Sequence, residues 1–267
     1  MTAPLKRDGL QRAFAEVGLA SGDSVIIHSS CRSLGPVEGG ADAVLDALLA
    51  TIGPPGNLML PTFNYSYPLP EPYYDPAATP CRTGIIPELG RQRPNAVRSL
   101  HPSHSVAVIG PDAEALTRDH LACRALGVGS PADRLAQMGG KVLLIGVTHR
   151  ADSMIHVAEE HAQCPKLKPW AAPPTPNVLM PGGRLVPHAL DTSTSCSAGF
   201  DVAEEYLRER GVIRYGRAGD AVLQLMVARD VIRHIVALLG DSPEALLCSR
   251  PECKSCAMTR EHLRNTD

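Results

Sequence analysis

Hydrophobic and polar residues alternate along the chain in blocks whose period changes between that of a strand and that of a helix. The runs at 24–28, 58–60 and 141–145 are almost continuously apolar, which is typical of strands buried on both faces. Shorter apolar runs at 105–109 and 222–226 predict two further strands. Apolar residues at helical spacing predict helices at 5–17, 41–52, 85–93, 113–120, 131–138, 152–163, 202–210 and 230–239. This alternation predicts an α/β fold, a single large domain in which helices flank a mainly parallel central sheet.

Two segments interrupt the alternation. Residues 65–80 are rich in Pro and Tyr and predict a long surface loop, and loops of that length tend to be functional. Residues 166–181 carry many prolines and lead into a smaller irregular lobe. The length of 267 residues suits one domain with such a lobe, so we expect residues 1–267 to form one unit.

Composition narrows the class of partner. The formal net charge is -2, which gives no reason to expect nucleic acid or an anionic membrane surface as partner. Residues 1–9 do not resemble a signal peptide, and no later run is long and apolar enough to span a bilayer. We therefore predict a cytoplasmic protein that acts on small molecules. The sequence leaves the oligomeric state open, a homodimer included.

His156 is the strongest candidate for acid–base chemistry. An imidazole can take a proton from an amine near neutral pH, and a neighbouring carboxylate can orient the ring. In the predicted helix 152–163, Asp152 precedes His156 by four residues and Glu159 and Glu160 follow it by three and four, all on one face. Spacing alone also allows Asp152 to cap the helix and His156 to be a core residue.

Two stretches could bind an anion. The chain runs from His28 through serines and Arg32 into Gly39 and Gly40 before a helix, a pattern that offers hydroxyls and free amides, or simply an ordinary strand-to-helix turn. Arg98 with neighbouring hydroxyls suits a phosphate, although a turn held by Pro102 explains the same residues. Two histidines of the second stretch compete with His156 as the base; they are His101 and His104.

Four motifs follow one another in a fixed order: His28-Ser29-Ser30-Cys31-Arg32-Ser33-Leu34-Gly35, Pro61-Thr62-Phe63, the run 98–105, and the run 146–160. Together, over residues 10–239, they resemble the aminoglycoside 3-N-acetyltransferase family. The resemblance implies transfer of an acetyl group from acetyl-CoA to the 3-amino group of the 2-deoxystreptamine ring, a reaction of antibiotic resistance.

The resemblance also implies roles for individual residues. His156 is the general base and Asp152 its orienting partner. Some family members draw a Glu from a later segment; the matching stretch 192–198 has none, which leaves Asp201 as the alternative to Asp152. The residues expected to bind CoA are Ser30, Arg32, Ser33, Val37, Gly39, Arg98, Ser99 and Ser105.

A polycationic acceptor calls for carboxylates and tyrosines in its site. We predict Tyr65, Asp75 and Glu160 as substrate-binding residues, and further candidates are Glu71, Tyr73, Tyr74 and Asp191. Two alternatives stay open. The acceptor could be another amine in natural-product biosynthesis, or the chain could be a zinc-stabilised CoA-binding module without catalysis.

The chain has eight cysteines, which we expect to be reduced because no export signal is present. Three of them form the pattern Cys248-x4-Cys253-x2-Cys256, whose spacing fits a structural tetrahedral zinc site within the C-terminal tail. Cys196, His188 or His262 could supply the fourth ligand. A cluster of reduced surface thiols is the alternative.

Overall fold

The computed structural model describes residues 4–64, 73–167, 172–191 and 196–266. Its strands are β1 (Ser24–Ser29), β2 (Asn57–Pro61), β3 (Tyr73–Tyr74), β4 (Ala96–Arg98), β5 (Val106–Ile109), β6 (Lys141–Ile145), β7 (Asn177–Leu179), β8 (Leu185–Pro187), β9 (Arg214–Ala218) and β10 (Ala221–Val227). Its α-helices are α1 (Arg7–Val17), α2 (Gly40–Ile52), α3 (Ile85–Arg91), α4 (Ala113–Thr117), α5 (Pro131–Gln137), α6 (Ser153–His161), α7 (Val202–Glu209), α8 (Ala228–Asp241) and α9 (Lys254–Thr266).

Seven of these strands form the central sheet, in the order β4-β5-β2-β1-β6-β10-β9. The central strands β2, β1 and β6 are parallel neighbours, whereas β5 and β10 pair antiparallel with both of their neighbours. Every strand of this sheet except those two therefore runs in one direction, which confirms the predicted mainly parallel α/β sheet.

The two faces of the sheet bury separate hydrophobic cores. In β1, Val25 and Ile27 point to the face covered by α1 and α2, and Ile26 points to the face covered by α5, α6 and α8. In β6, Val142 and Leu144 alternate with their neighbours in the same way. Burial on both faces explains why these strands read as continuous apolar runs.

Local signals set several element boundaries. Helix α1 ends where Gly18 adopts φ 109, a left-handed conformation that favours glycine. Helix α5 begins with Pro131, and the Ser130 Oγ accepts a hydrogen bond from the Asp133 amide at 3.4 Å. The strand predicted at 141–145 has the same bounds in the structure.

The smaller lobe is more regular than predicted, since β3, β7 and β8 form a three-stranded sheet in which β7 pairs parallel with β3 and antiparallel with β8. Strands β4 and β9 and helix α9 are likewise not predicted from the sequence. Within the described ranges, every helix is too short or too polar to cross a bilayer.

Candidate active site

A pocket of about 260 Å³ opens at the carboxyl ends of β1 and β6. In α/β sheets a crevice outside the carboxyl ends of parallel strands is the usual place for a ligand. The walls come from the ends of β1 and β2, from the loop before β5 and from the start of α6. The lining residues are Ile27, His28, Ser29, Pro61, Phe63, Thr83, Pro87, His104, Leu126, Val147, Arg150, Ala151, Asp152, Ser153, His156 and Ser197.

His156 lies in the pocket wall on α6 and is held by a carboxylate. Its Nδ1 is 2.8 Å from Oε2 of Glu159, one turn further along the helix. Phe200 is fully buried and packs edge-on against the imidazole, with 4.7 Å between the ring centroids. Burial raises the pKa of Glu159, but the hydrogen bond to His156 and the charge of Lys166 outweigh it and leave that pKa below its usual value. Glu159 is therefore an anion placed to stabilise a protonated His156.

Asp152 contacts other groups than the predicted one. It is the N-cap of α6 with an extended backbone, and its Oδ1 accepts a hydrogen bond from the Met154 amide at 2.9 Å. Its Oδ2 lies 3.4 Å from Nδ1 of His149. This corrects the prediction that residue 152 is helical and shares a face with His156: Asp152 precedes the helix as its N-cap, and Glu159 is the carboxylate bonded to His156 Nδ1. Asp201, the other expected alternative, is exposed at the start of α7.

Three other histidines near the pocket are weak bases. Burial lowers the pKa of His28 to about 4, that of His104 to about 3 and that of His101 to about 2. A general base works best when its pKa is close to the operating pH. These imidazoles stay neutral near pH 7, which weakens His101 and His104 as rivals of His156.

The first group of expected CoA-binding residues follows the pocket residue Ser29 along the chain and lies outside the pocket lining. Ser30 follows the strand and is the N-cap of a 3₁₀ turn, the exposed Arg32 lies in that turn, and Gly39 is the exposed N-cap of α2 with φ 80. Ser33 Oγ donates to the carbonyl of Gly146 at 2.9 Å and holds this turn against the end of β6. Val37, half-buried, forms a bridge with Leu5.

The second group of expected CoA-binding residues lies inside the fold. Arg98 Nε donates to Thr62 Oγ1 at 3.1 Å, Nη1 to the carbonyl of Thr79 at 2.6 Å, and Nη2 to the carbonyl of Thr62 at 2.9 Å. Ser99 and Ser105 are buried, and their hydroxyls bond to neighbouring strand and loop atoms. Arg98 thus holds loops together through hydrogen bonds from all three of its guanidinium nitrogens.

Arg150 was missed by the sequence analysis. It is exposed, lies in the 3₁₀ turn that precedes α6, and lines the pocket. A guanidinium at this position can meet an anionic ligand.

The expected acceptor-binding residues are spread over several places. Tyr65 and Glu71 lie outside the described residues. Asp75 accepts hydrogen bonds from the amides of Ala77 and Ala78 at 2.8 and 3.2 Å, so its carboxylate stabilises a turn. Tyr74 is buried, and Tyr73 is exposed.

Glu160 and Asp191 do come together, in a second cavity of about 450 Å³ that also includes His101 and His188. Arg124, which was not predicted, forms ion pairs with both carboxylates, and its Nε lies 3.1 Å from Glu160 Oε1. Lys166 forms a second ion pair with Glu160, with 3.3 Å between its Nζ and Glu160 Oε1. The two acids are therefore already neutralised by protein cations.

The three cysteines of the C-terminal tail meet a fourth. The Sγ atoms of Cys196, Cys248, Cys253 and Cys256 all lie within 4.8 Å of one another, and we call these residues the four-cysteine cluster. Cys196 was one of the three residues suggested as the fourth ligand. All eight cysteines are free thiols.

Comparison with known proteins adds the chemical context. A family model described as aminoglycoside 3-N-acetyltransferase matches residues 26–240. Aminoglycoside N(3)-acetyltransferase VII of Streptomyces paromomycinus is 33% identical, over 89% of this chain and 92% of that protein. The crystal structure of a histidine-to-alanine mutant of AAC(3)-IVa in complex with a gentamicin superposes with a TM-score of 0.86 at 29% identity over 98% of each chain. A structure of AAC-IIIb with CoASH has a TM-score of 0.77 at 26% identity, over 90% of this chain and 97% of that one.

Proposed function

The chain belongs to the aminoglycoside 3-N-acetyltransferase family, whose members are acyltransferases, and from this premise we propose that it transfers the acetyl group of acetyl-CoA to the 3-amino group of an aminoglycoside. The CoA complex of AAC-IIIb and the gentamicin complex of the AAC(3)-IVa mutant support the two ligand classes. We further propose that the reaction takes place in the cytoplasm.

His156 is the general base in this proposal. Its Nδ1–H donates to Glu159, so Nε2 carries the lone pair that removes a proton from the acceptor ammonium or from the attacking amine. The freed amine attacks the thioester carbonyl, the tetrahedral intermediate collapses, and the C–S bond breaks. The imidazolium, stabilised by Glu159, returns a proton to the departing thiolate. A neutral acceptor amine gives its one proton to the thiolate through His156, and an acceptor that arrives as an ammonium releases one further proton to solvent. Atoms and charge then balance without an acyl-enzyme.

In this proposal the donor enters along residues 30–39, the segment that follows the pocket residue Ser29 and that we call the donor rim. Ser30 and Ser33 offer polar groups to the amide-rich pantetheine arm, and exposed Arg32 and Arg150 offer guanidinium groups to the phosphates. The thioester then lies at the carboxyl ends of β1 and β6, next to His156.

The acceptor uses the cavity that contains Glu160 and Asp191. An ammonium group of the substrate can replace Arg124 on these carboxylates, because the exchange swaps one cation for another and leaves no buried charge unpaired. Glu160 is the neighbour of Glu159 on α6, so one helix carries both acceptor-binding and catalytic carboxylates.

The observation that carries the proposal is an imidazole with a bonded carboxylate in the wall of the strand-end pocket, in a chain of this family. The four-cysteine cluster has no part in the transfer, since four thiol ligands would fill every position of a tetrahedral ion.

The test is acetyl transfer by the purified protein from acetyl-CoA to gentamicin, apramycin and simple primary amines. Release of the CoA thiol measures the transfer. We expect a product one acetyl group heavier, with NMR placing the group on the 3-amino nitrogen. Acetylation of simple amines but no aminoglycoside would favour the biosynthetic alternative. CoA binding without transfer to any amine would overturn the enzymatic proposal.

A further inference from the structure

The four-cysteine cluster has the dimensions of a metal site. The Sγ atoms of Cys196 and Cys248 are 3.8 Å apart. Four thiolates at about 2.3 Å from a tetrahedral zinc ion lie about 3.8 Å from one another, whereas bonded sulfurs of a disulfide are about 2.05 Å apart. The pair thus has the separation expected across a metal ion, and the remaining sulfurs lie within 4.8 Å.

Hydrogen-bond donors surround the sulfurs. The amide of Cys248 donates to Cys256 Sγ at 3.4 Å, and Arg250 Nη2 lies 3.8 Å from Cys196 Sγ. Such donors stabilise the negative charge that four thiolates keep after binding one Zn²⁺. Arg260 of α9 donates to the carbonyl of Cys248 at 2.8 Å and fixes the helix to the segment that precedes it.

The ligands come from two segments that are distant along the chain. Cys196 is separated from Cys248 by 52 residues. A metal that joins them closes a long loop, and the binding free energy then stabilises the folded state. It also fixes the start of the 3₁₀ turn Ser197–Gly199 against the C-terminal segment.

That turn leads directly to the general base. Ser197 lines the pocket beside His156, and Phe200 packs on the imidazole with 4.7 Å between ring centroids. Gly199 lies so close to the C-terminal segment that a Cβ there would be 2.3 Å from the carbonyl oxygen of Leu246. The position of the Phe200 ring therefore depends on how the 196–199 segment is held.

We propose that the four cysteines bind one zinc ion, which fixes the 196–200 segment and thereby positions Phe200 and Ser197 against His156. The positioning half rests on the proposed function, whereas the metal site itself does not. Zinc takes no part in the acetyl transfer. The fraction of protein molecules that contain zinc sets the fraction in which His156 is correctly positioned.

Metal content of the full-length protein tests the site without any activity assay. We expect about one zinc ion per chain by mass spectrometry of metals, lost in Cys196→Ser and Cys253→Ser and kept in the control Cys123→Ser. Titration of cobalt into metal-free protein should give the absorption bands of a tetrahedral thiolate complex. A disulfide within the cluster under native conditions, or equal zinc in Cys196→Ser and in the unmodified protein, would overturn the site.

A glycine pair tests the positioning half in protein that keeps all four thiols. Gly199→Ala should retain zinc but shift the turn, and kcat should fall by about tenfold to a hundredfold with the Kd for CoA unchanged. Gly240→Ala is the matched control, because a Cβ there would meet nothing within 4 Å. Unchanged kcat in zinc-loaded Gly199→Ala would overturn the positioning role and leave the metal site standing. If neither the unmodified protein nor any variant transfers an acetyl group, the proposed function fails. The zinc content still tests the metal site in that case.

Discussion

One carboxylate–imidazole pair lies at the start of α6 and another lies within that helix, and the two differ in exposure. Asp152 and His149 are both 0% exposed, with 3.4 Å between Oδ2 and Nδ1. Glu159 and His156 are 13% and 19% exposed, with 2.8 Å between Oε2 and Nδ1. The same two functional groups therefore occur once with the imidazole buried behind Asp152, which itself lines the pocket, and once with the imidazole in the pocket wall.

In both pairs the ionised carboxylate is favoured. Burial raises the pKa of Asp152, but the contact with His149 outweighs it and the pKa is lowered; the pKa of Glu159 is lowered for the corresponding reason. Burial lowers the pKa of His149, yet Asp152 raises it above its usual value. Pairing alone does not distinguish a catalytic imidazole from a structural one. Access to the pocket does, which supports the proposal that His156 is the base and that His149 holds the start of α6.

Removal of His156 should have the largest effect on the reaction. In His156→Ala we expect kcat to fall by about 10²-fold to 10⁴-fold, because the enzyme then lacks the group that takes the proton from the acceptor amine. Steady-state release of the CoA thiol measures this, and thermal unfolding checks that the fold is intact. His262→Ala, on α9, is the control histidine. A His156→Ala variant with the turnover of the unmodified protein would assign the base to another group.

Loss of the carboxylate at the accessible pair should have a smaller effect. Glu159→Gln keeps the shape and a hydrogen-bonding oxygen but removes the charge that stabilises the imidazolium, so kcat should fall by about 10²-fold and stability should change little. The KM for acetyl-CoA should stay constant, because Glu159 touches the base and not the predicted donor rim. An equal loss in Asp152→Asn would restore Asp152 as the orienting partner.

The contrast between these two carboxylates also shows what sequence can predict. Strand β6 and the position of His156 after it follow from local patterns, since a continuous apolar run and a helical period need no distant information. The choice between Asp152 and Glu159 as partner of His156 does not follow from local patterns, because both lie within about one turn of His156. The extended backbone of residue 152 determines which carboxylate reaches the imidazole.

Long-range contacts are the second limit. Arg98 is a residue type that often binds phosphate, and only the fold shows that loop carbonyls accept hydrogen bonds from its guanidinium group. Cys196 meets its three partners across 52 residues of chain, a distance over which spacing gives no preference among Cys196, His188 and His262. Helix α9 was missed because its polar sequence buries few residues besides Cys256 and Thr259.

The buried pair should matter for stability more than for turnover. Asp152→Asn keeps an oxygen for the Met154 amide but leaves His149 without an anionic partner in the interior. We expect the free energy of unfolding to fall by about 1–3 kcal/mol, measured by urea denaturation. The kcat of the folded fraction should fall less than in Glu159→Gln. A large loss of kcat with unchanged stability would reverse the roles that we give to the two pairs.

The smallest expected effect is the pH dependence of that stability loss. The pKa of His149 is raised in the folded protein, so the stability from its pairing is complete below the unfolded value of about 6.5 and is lost as pH rises through the folded value. The pKa of Asp152 is lowered, so its share is lost only in acid, below about pH 4. His28 also faces this pair, but burial lowers its pKa to about 4 and keeps it neutral in the folded state above that pH. The difference in unfolding free energy between the unmodified protein and Asp152→Asn should thus be larger at about pH 5.5 than at about pH 8.5. A difference that grows with pH would mean that His149 is neutral in the native protein, and the buried pair would then be a polar contact rather than an ionic one.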